Sequence, residues 1–312
     1  MLDWSDRHCR FMHRLLSKRA VLFSEMVTSA AIIHGDKNRL LGYNKEEHPL
    51  VVQIAGSNPD ELAKAAIICQ EYGYDEINLN VGCPSDRVQS GSFGACLMLE
   101  PKLVGQLVKA MVDVCDIPIS VKCRIGVDEQ NPQTALNELA DEIVTAGVSS
   151  IIVHARKAWL KGLSPKENRD IPPLDYDIVY ALAERLNPIP VIINGGIETL
   201  AQSKNHLKNC SGVMLGRAAY HNPMLLAKVD SEIFGEQDKI SDINDLMLPM
   251  IKYAEAEIAK GVRINKITRH MLGLAHGKAG AKTFRRILTV DSCLDGAGVD
   301  VIERAFNALK SS

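Results

Sequence analysis

The chain has no Cys-x-x-Cys pair among its eight cysteines, at 9, 69, 83, 96, 115, 123, 210 and 293, and no close His/Cys cluster with zinc-ligand spacing. No metal is therefore expected, and the cysteines read as thiols of a reducing compartment, where structural disulfides are rare. No apolar run approaches the roughly 20 residues that cross a bilayer. The opening Met1-Leu2-Asp3-Trp4-Ser5-Asp6 carries acid where a secretory signal needs a basic and then an apolar segment. A cytoplasmic, membrane-free location is expected. No internal repeat, low-complexity tract or Gly-x-Gly-x-x-Gly phosphate loop occurs. The formal net charge of -2 excludes a globally basic nucleic-acid binder and leaves any such role to a local patch.

What is present is an alternation. Short Val/Ile-rich runs, "VLFSEMV" at 21, "LVVQIAG" at 50, "DEINLN" at 75, "IPISVKCRIG" at 117, "SSIIVHAR" at 149, "IPVIINGG" at 189 and "SGVMLGR" at 211, are separated by segments of helical period. Near-continuous apolar strands alternating with helices predict a parallel sheet buried on both faces. Each run also ends in residues with chemistry: Gln53; Asn80; Lys122 with Arg124; His154 with Arg156; Asn194-Gly195-Gly196; Gly216-Arg217. Working groups at the carboxyl ends of strands, with phosphate loops late in the order, are the arrangement of a (β/α)8 TIM barrel. Seven runs predict such a barrel with its first strand missing.

From about residue 230 the strands stop. "ISDINDLMLPMIKYAEAEIAKG", ending at Gly261, reads as one helix, and further helices are expected through "INKITRHMLGLAHG" and "DVIERAFNALK". The expected division is a barrel domain over 1–234 and a C-terminal helical domain over 235–312. Between Glu257 and Asp291 there is no acid, while Lys260, Arg263, Lys266, Arg269, Lys278, Lys282, Arg285 and Arg286 are basic. This is either a solvated face or the bed for a polyanion.

Cys83 stands between Gly82 and Pro84 at a strand end. An ordinary thiol, with a pKa of about 8.5, is mostly protonated at neutral pH and is better placed to give a proton than to attack. Lys122, between Val121 and Cys123, either reaches solvent past the rim or stabilises negative charge on a reduced cofactor ring. His154 is either a satisfied core histidine or a ligand, and Gln53 can both donate and accept at a heterocycle edge. Gly195-Gly196 and Gly216-Arg217, at consecutive strand ends that each feed a helix, favour phosphate binding over simple turns, with Arg217 supplying bidentate charge.

The segments "MLDWSDRHCR", "EMVTSAAIIHG", "DEINLNVGCPSDRVQSGSFGACLM", "SVKCRIG", "IIVHARKAWLKGLSPKENRDIPPLDY", "INGGI" and "GVMLGRAAYHNP" resemble the tRNA-dihydrouridine synthase family, and "HARKAWLKGLSPKENR" resembles its A-type subfamily. The resemblance runs from the first residue to the helical tail. It implies an FMN enzyme, reduced by NADPH, that converts uridine to dihydrouridine in the tRNA D-loop at position 20 and its neighbour 20a. Hydride would pass from flavin N5 to C6 of uracil, with Cys83 protonating C5. The resemblance assigns flavin contacts to Met1, Leu2, Gln53, Lys122, His154, Asn194, Gly195, Gly196, Gly216 and Arg217. It assigns tRNA contacts to Asn80, Lys166, Arg169, Lys282 and Arg285, with lysine at 282 where many relatives carry arginine. Arg156, Lys157 and Lys161 would extend a basic rim beside the pocket.

In the family an apolar strand ending in proline precedes "MLDW" and touches the flavin. The expectation is therefore a chain with unpaired sheet edges that binds FMN poorly and is less stable than an upstream-extended version. A monomer is expected. Two other readings are a flavin barrel acting on a free pyrimidine, which has no use for the basic tail, and a tRNA-binding protein with an impaired flavin site.

Overall fold

Every one of the seven runs is a strand in the computed structural model, which describes residues 1–85 and 91–310 apart from the side chain of Lys310. The strands are β1 (Leu22–Thr28), β2 (Leu50–Ala55), β3 (Glu76–Val81), β4 (Ile119–Arg124), β5 (Ser150–His154), β6 (Val191–Asn194) and β7 (Gly212–Met214). All pair in parallel and in sequential order, each with the next, and β1 and β7 form the edges of the sheet. This is the strand order of a (β/α)8 barrel with seven positions filled among the described residues.

Ahead of β1 lies α1 (Arg7–Leu16), and after it come α2 (Ser29–His34) and α3 (Lys37–Leu41). The crossovers are α4 (Pro59–Tyr72), α5 (Pro101–Val112), α6 (Pro132–Thr145), α7 (Tyr176–Leu186) and α8 (Leu200–His206). Their starts are written locally. Asn58 and Asn131 accept from the backbone N–H of Glu61 and Thr134 at 3.0 and 3.1 Å, and each is followed by a proline whose missing N–H costs a first turn nothing. α4 stops where Gly73 turns left-handed at φ 98°. The crossover helices and the strands' outward faces share one apolar core, which includes Leu50, Ile54, Ile77, Leu79, Val121, Ile151 and Ile193.

After β7 follow α9 (Arg217–His221), α10 (Val229–Phe234), α11 (Met247–Ala259), α12 (Asn265–Thr268), α13 (Ala281–Thr289) and α14 (Asp300–Lys310). The single helix expected over 240–261 begins later: Asp242 caps a 3-10 turn over Ile243–Leu246, and the α-helix starts at Met247. The helix expected through 264–277 is limited to Asn265–Thr268. At Gly273 a Cβ would lie 2.6 Å from the carbonyl oxygen of His221 and 2.8 Å from that of Tyr220, so the chain needs glycine to pass that close to α9.

A second apolar core holds these helices together around Phe284, Phe306, Met250, Ile267 and Leu288. It also takes in Met12 and Leu16 of α1 and Leu226 and Val229 before residue 235. The opening segment and α1 are also bound to the helices after β7 by polar and ring contacts. Asp6 caps α1 through the N–H groups of His8 and Cys9 while binding Arg269 at 2.7 Å and His270 at 3.0 Å. Trp4 stacks on Tyr220 at 4.4 Å between ring centres.

Candidate active site

The inward faces of β2, β3 and β4 carry polar residues, and their register sets them side by side: Gln53 opposite Asn78, Asn78 opposite Ser120, Asn80 opposite Lys122. These side chains form one directed chain of hydrogen bonds. Its direction is fixed at the upper end, where Asn80 Oδ1 accepts from the backbone N–H groups of Gly82 and Cys83 at 3.1 and 3.0 Å. Asn80 Nδ2 must then donate, and it does so to Gln53 Oε1 at 2.8 Å. Gln53 Nε2 donates to Asn78 Oδ1 at 2.8 Å, and Asn78 Nδ2 donates to Ser120 Oγ at 2.9 Å. Ser120 donates to Glu76. A buried amide with both ends engaged has one orientation, so Cys83 is anchored through Asn80 to the barrel interior.

Cys83 follows β3 at the carboxyl end of the sheet and is half-buried. Its Sγ contacts Ser85 Oγ at 3.6 Å, and its carbonyl accepts from Ala95 N at 2.9 Å. The other cysteines lie elsewhere; Cys9, Cys69, Cys123 and Cys210 are buried in apolar packing, and burial pushes the thiols of Cys69 and Cys123 up to about 12.

Lys122 stands beside this loop, half-buried, with no ion pair or hydrogen bond among the described residues. Burial, and then the positive charge of Arg124, lower its pKa to about 8. A half-buried ammonium without a counter-ion is a donor awaiting an acceptor. His154 is pushed well below 6.5 by burial, by Arg124 and Lys122, and by Arg156 and Arg217, so it is neutral. Arg124 is itself buried, and burial lowers its pKa to about 10.

The late loops close the ring. Asn194 Nδ2 donates to the Met214 carbonyl at 2.7 Å, joining β6 to β7. Gly195 and Gly196 have φ of 112° and 69°. A Cβ on Gly195 would lie 3.1 Å from His154 Cε1, and one on Gly196 would lie 2.6 Å from Leu174 and 3.0 Å from the Tyr176 hydroxyl. Both positions need glycine for conformation and for space. The helix that follows, α8, has part of its first turn already capped by its own side chains. Thr199 and Gln202 form a capping box that occupies the N–H groups of Glu198, Thr199 and Gln202. α9 begins at Gly216 without a side-chain cap.

Arg217 is ion-paired with Asp170 at 2.7 Å, a partner outside the sequence reading. Met1 and Leu2 are exposed, and Met1 Sδ lies 3.7 Å from where a Cβ on Gly216 would stand, so the opening segment reaches the end of β7.

Lys166 and Arg169 are exposed on the loop after β5. Asn168 between them is fully buried; its Nδ2 donates to the carbonyls of Trp159 and Leu163 at 2.9 and 3.1 Å, and its Oδ1 accepts from Trp159 N at 2.7 Å. It gives that basic loop its shape. Lys282 and Arg285, three residues apart, are both exposed on α13, whose Phe284, Ile287 and Leu288 are buried. The acid-free stretch as a whole is not a free cationic face. Arg269 binds Asp6, Lys260 binds Glu257, Arg286 binds Asp291, and His270 is buried. Arg263, Lys266, Lys278, Lys282 and Arg285 remain without an ion pair among the described residues.

Among the described residues no group of His, Cys, Asp and Glu could hold a metal ion, and no helix is long and apolar enough to cross a membrane. Residues missing from the sequence reading of the site are Arg124 in its bonded role, Asn168, Asp170 and Tyr176.

Residues 1–308 match a family model described as "Dihydrouridine synthase (Dus)". The chain is 51% identical over 306 residues to a tRNA-dihydrouridine(20/20a) synthase of Vibrio parahaemolyticus, covering 98% of this chain and 94% of the relative. Relatives of the same name from Shewanella oneidensis and Escherichia coli are also 51% identical, covering 100% and 98% of this chain and 92% of each relative. Among solved structures a morphinone reductase superposes with a TM-score of 0.53 at 12% identity, over 77% of this chain and 84% of that one. That likeness is one of fold.

Proposed function

The chain belongs to the dihydrouridine synthase family, and from that premise we propose that it reduces uridine to 5,6-dihydrouridine in the D-loop of tRNA, at position 20 and its neighbour 20a, with FMN as cofactor and NADPH as reductant. The observation that carries the reading is a protonatable thiol, Cys83, locked by Asn80 beside the unpaired ammonium of Lys122 at the carboxyl end of a parallel barrel.

The donor set suits an electron-rich ring with an anionic tail. Lys122, neutral His154 and the free N–H of Gln53 face ring heteroatoms in this reading, while Gly195, Gly196, Gly216 and Arg217 hold the tail and Asn194 fixes their loops. Met1 and Leu2 border the same place. For the tail to reach Arg217, Asp170 gives up its ion pair; that pair is solvent-exposed, and its loss costs about 1 kcal/mol or less.

Reduction of the uracil C5=C6 bond needs a hydride at one carbon and a proton at the other. A reduced flavin held by Gln53, Lys122 and His154 would supply the hydride for C6. The chain supplies the rest. Cys83 breaks its S–H bond to protonate C5 and leaves a thiolate, which forms among the cations Lys122, Arg124 and Arg169 and regains its proton from solvent. A positioned acid of this kind contributes about 10²- to 10⁴-fold.

The base must leave its stack to enter such a pocket, so the RNA needs a charged bed on both sides. Asn80, Lys166 and Arg169 border the pocket, and Lys282 and Arg285 on α13 extend the bed into the helical part. We assign the catalytic role to residues 1–234 and RNA docking to 235–312, with α1 packed against the latter. The protein acts as a monomer in the cytoplasm, where tRNA and NADPH are found. The test is mass mapping of unmodified tRNA after incubation with the FMN-loaded protein and NADPH, beside free uridine. Dihydrouridine in the D-loop supports the reading, and reduction of free uridine at a comparable rate overturns it.

A further inference from the structure

Arg124 has four acceptors and no carboxylate. Its Nε donates to the carbonyl of Gly82 at 3.2 Å, immediately ahead of Cys83. Its Nη1 donates to the carbonyl of Asn168 at 3.0 Å, between Lys166 and Arg169, and to the carbonyl of Lys157 at 3.5 Å. The same Nη1 meets His154 Nδ1 at 3.2 Å. β4 and β5 place the two residues directly opposite each other, Arg124 with His154. Arg124 is 4% exposed, and no acid pairs with it among the described residues. A buried arginine satisfied by three carbonyls and an imidazole nitrogen, with no counter-ion, is costly to desolvate, so its place in the fold calls for a role beyond packing.

A guanidinium can only donate. The nitrogen it meets on a neutral imidazole must therefore be the acceptor, and the ring proton is forced to the other nitrogen. We propose that Arg124 is the positioning residue of this site: it fixes His154 as the Nε2–H tautomer and holds the Cys83 loop and the Lys166–Arg169 loop at one distance from it. The glycine at 195 serves the same end, since a Cβ there would lie 3.1 Å from Cε1 and 3.3 Å from Nδ1 and would press on the edge of the ring that Arg124 holds. The cations around His154 are Arg124, Lys122, Arg156 and Arg217, all of which oppose its protonation, so the neutral tautomer is maintained at neutral pH. In the proposed reaction the same guanidinium stands among the charges that face the thiolate left on Cys83.

Lysine at 124 would keep the charge but lose the fork that reaches three groups from one side chain. This role rests on the functional reading only for its catalytic consequence; the tautomer claim needs neither cofactor nor RNA. The experiment therefore has two arms on the full chain. In the first, nitrogen-15 spectra of the imidazoles at neutral pH identify the protonated nitrogen of His154, its signals assigned by their loss in His154→Gln. The parent is expected to show Nε2–H alone, and Arg124→Lys and Arg124→Met a mixture of tautomers. A parent ring with Nδ1–H, or variants with an unchanged spectrum, overturns the proposal.

In the second arm, FMN reduction by NADPH and single-turnover reduction of unmodified tRNA are measured separately. Both variants are expected to lose about 10- to 100-fold in the RNA step and much less in flavin reduction. Full rescue by Arg124→Lys would mean that charge alone matters and would overturn the positioning role. If Arg124→Met fails to fold, Arg124→Lys decides both arms. A parent that shows Nε2–H alone and variants that show the mixture, with no activity of the parent on any tRNA, would sink the functional reading while leaving the role of Arg124 intact.

Discussion

Replacing Asn80 with alanine tests the anchoring of Cys83 most severely, because a single side chain makes three bonds that the loop relies on. It accepts from the N–H groups of Gly82 and Cys83 and donates to Gln53. At about 1 kcal/mol net for each bond, the loss is about 3 kcal/mol. The freed N–H groups lie near solvent, since Gly82 and Cys83 are only half-buried, and water recovers part of this. An effective loss of about 1.5–3 kcal/mol in the population of the correctly placed thiol remains. That corresponds to about 10- to 150-fold in the rate of any step that uses it.

Asn80→Asp separates anchoring from mere bulk, because it keeps both acceptances and loses only the donation to Gln53. The assay is single-turnover reduction of unmodified tRNA by prereduced protein, with FMN content measured alongside. The reasoning predicts a large loss for alanine and a smaller one for aspartate. Alanine turning over at the parent rate with equal flavin content would refute it.

Other expectations follow from the same structure. Cys83→Ala should retain FMN and its reduction by NADPH while losing about 10²- to 10⁴-fold in RNA reduction, read by stopped-flow absorbance and mass mapping. Lys122, lowered to about 8 in the fold, opposes folding of the cofactor-free chain below pH 8, and the opposition fades as pH rises toward the unfolded value near 10.5. Unfolding free energies of Lys122→Met from urea titration should therefore exceed those of the parent at pH 7 by up to about 3 kcal/mol, the gap narrowing toward pH 10. Asp6→Ala removes a helix cap and a link to Arg269 and His270, and should cost about 2–3 kcal/mol in chemical unfolding at pH 7. Burial opposes ionisation of Asp6, but His270 and its other hydrogen-bonding partners hold the carboxyl far below its ordinary range, so the stability it contributes is present above pH 4 and fades as pH falls below it. Lys282→Ala and Arg285→Ala should each weaken tRNA binding and lower the salt slope by about one, leaving the single-turnover rate at saturation unchanged.

The strands were readable because a parallel sheet covered on both faces writes itself as Val/Ile runs, and all seven runs are strands. The chemistry at their ends was readable for a similar reason: Gln53, Asn80, Lys122, His154 and Asn194 interrupt apolar stretches where a strand must stop. What the sequence could not carry was register. The chain from Glu76 through Ser120, Asn78 and Gln53 to Asn80 links residues up to 67 positions apart, and only strand pairing sets them in line.

Arg124 was legible only as a basic residue beside Lys122 at a strand end; its four acceptors come from β5 and from the loops after β3 and β5. The acid-free stretch overstated the cationic face for the same reason, since Asp6, which binds Arg269, is 263 residues away. The helix expected through 264–277 failed on a contact, the approach of Gly273 to α9, that local periodicity does not encode.

The central claim is that Cys83 delivers a proton to a uridine held in RNA. Its most direct measurement is mass mapping of one unmodified tRNA after reaction with the FMN-loaded parent and with FMN-loaded Cys83→Ala, at equal flavin and excess NADPH. A gain of about 2 Da, the two hydrogens of the balanced step, confined to D-loop uridine with the parent and nearly absent with the variant is the predicted result. Equal gain with both proteins would contradict it.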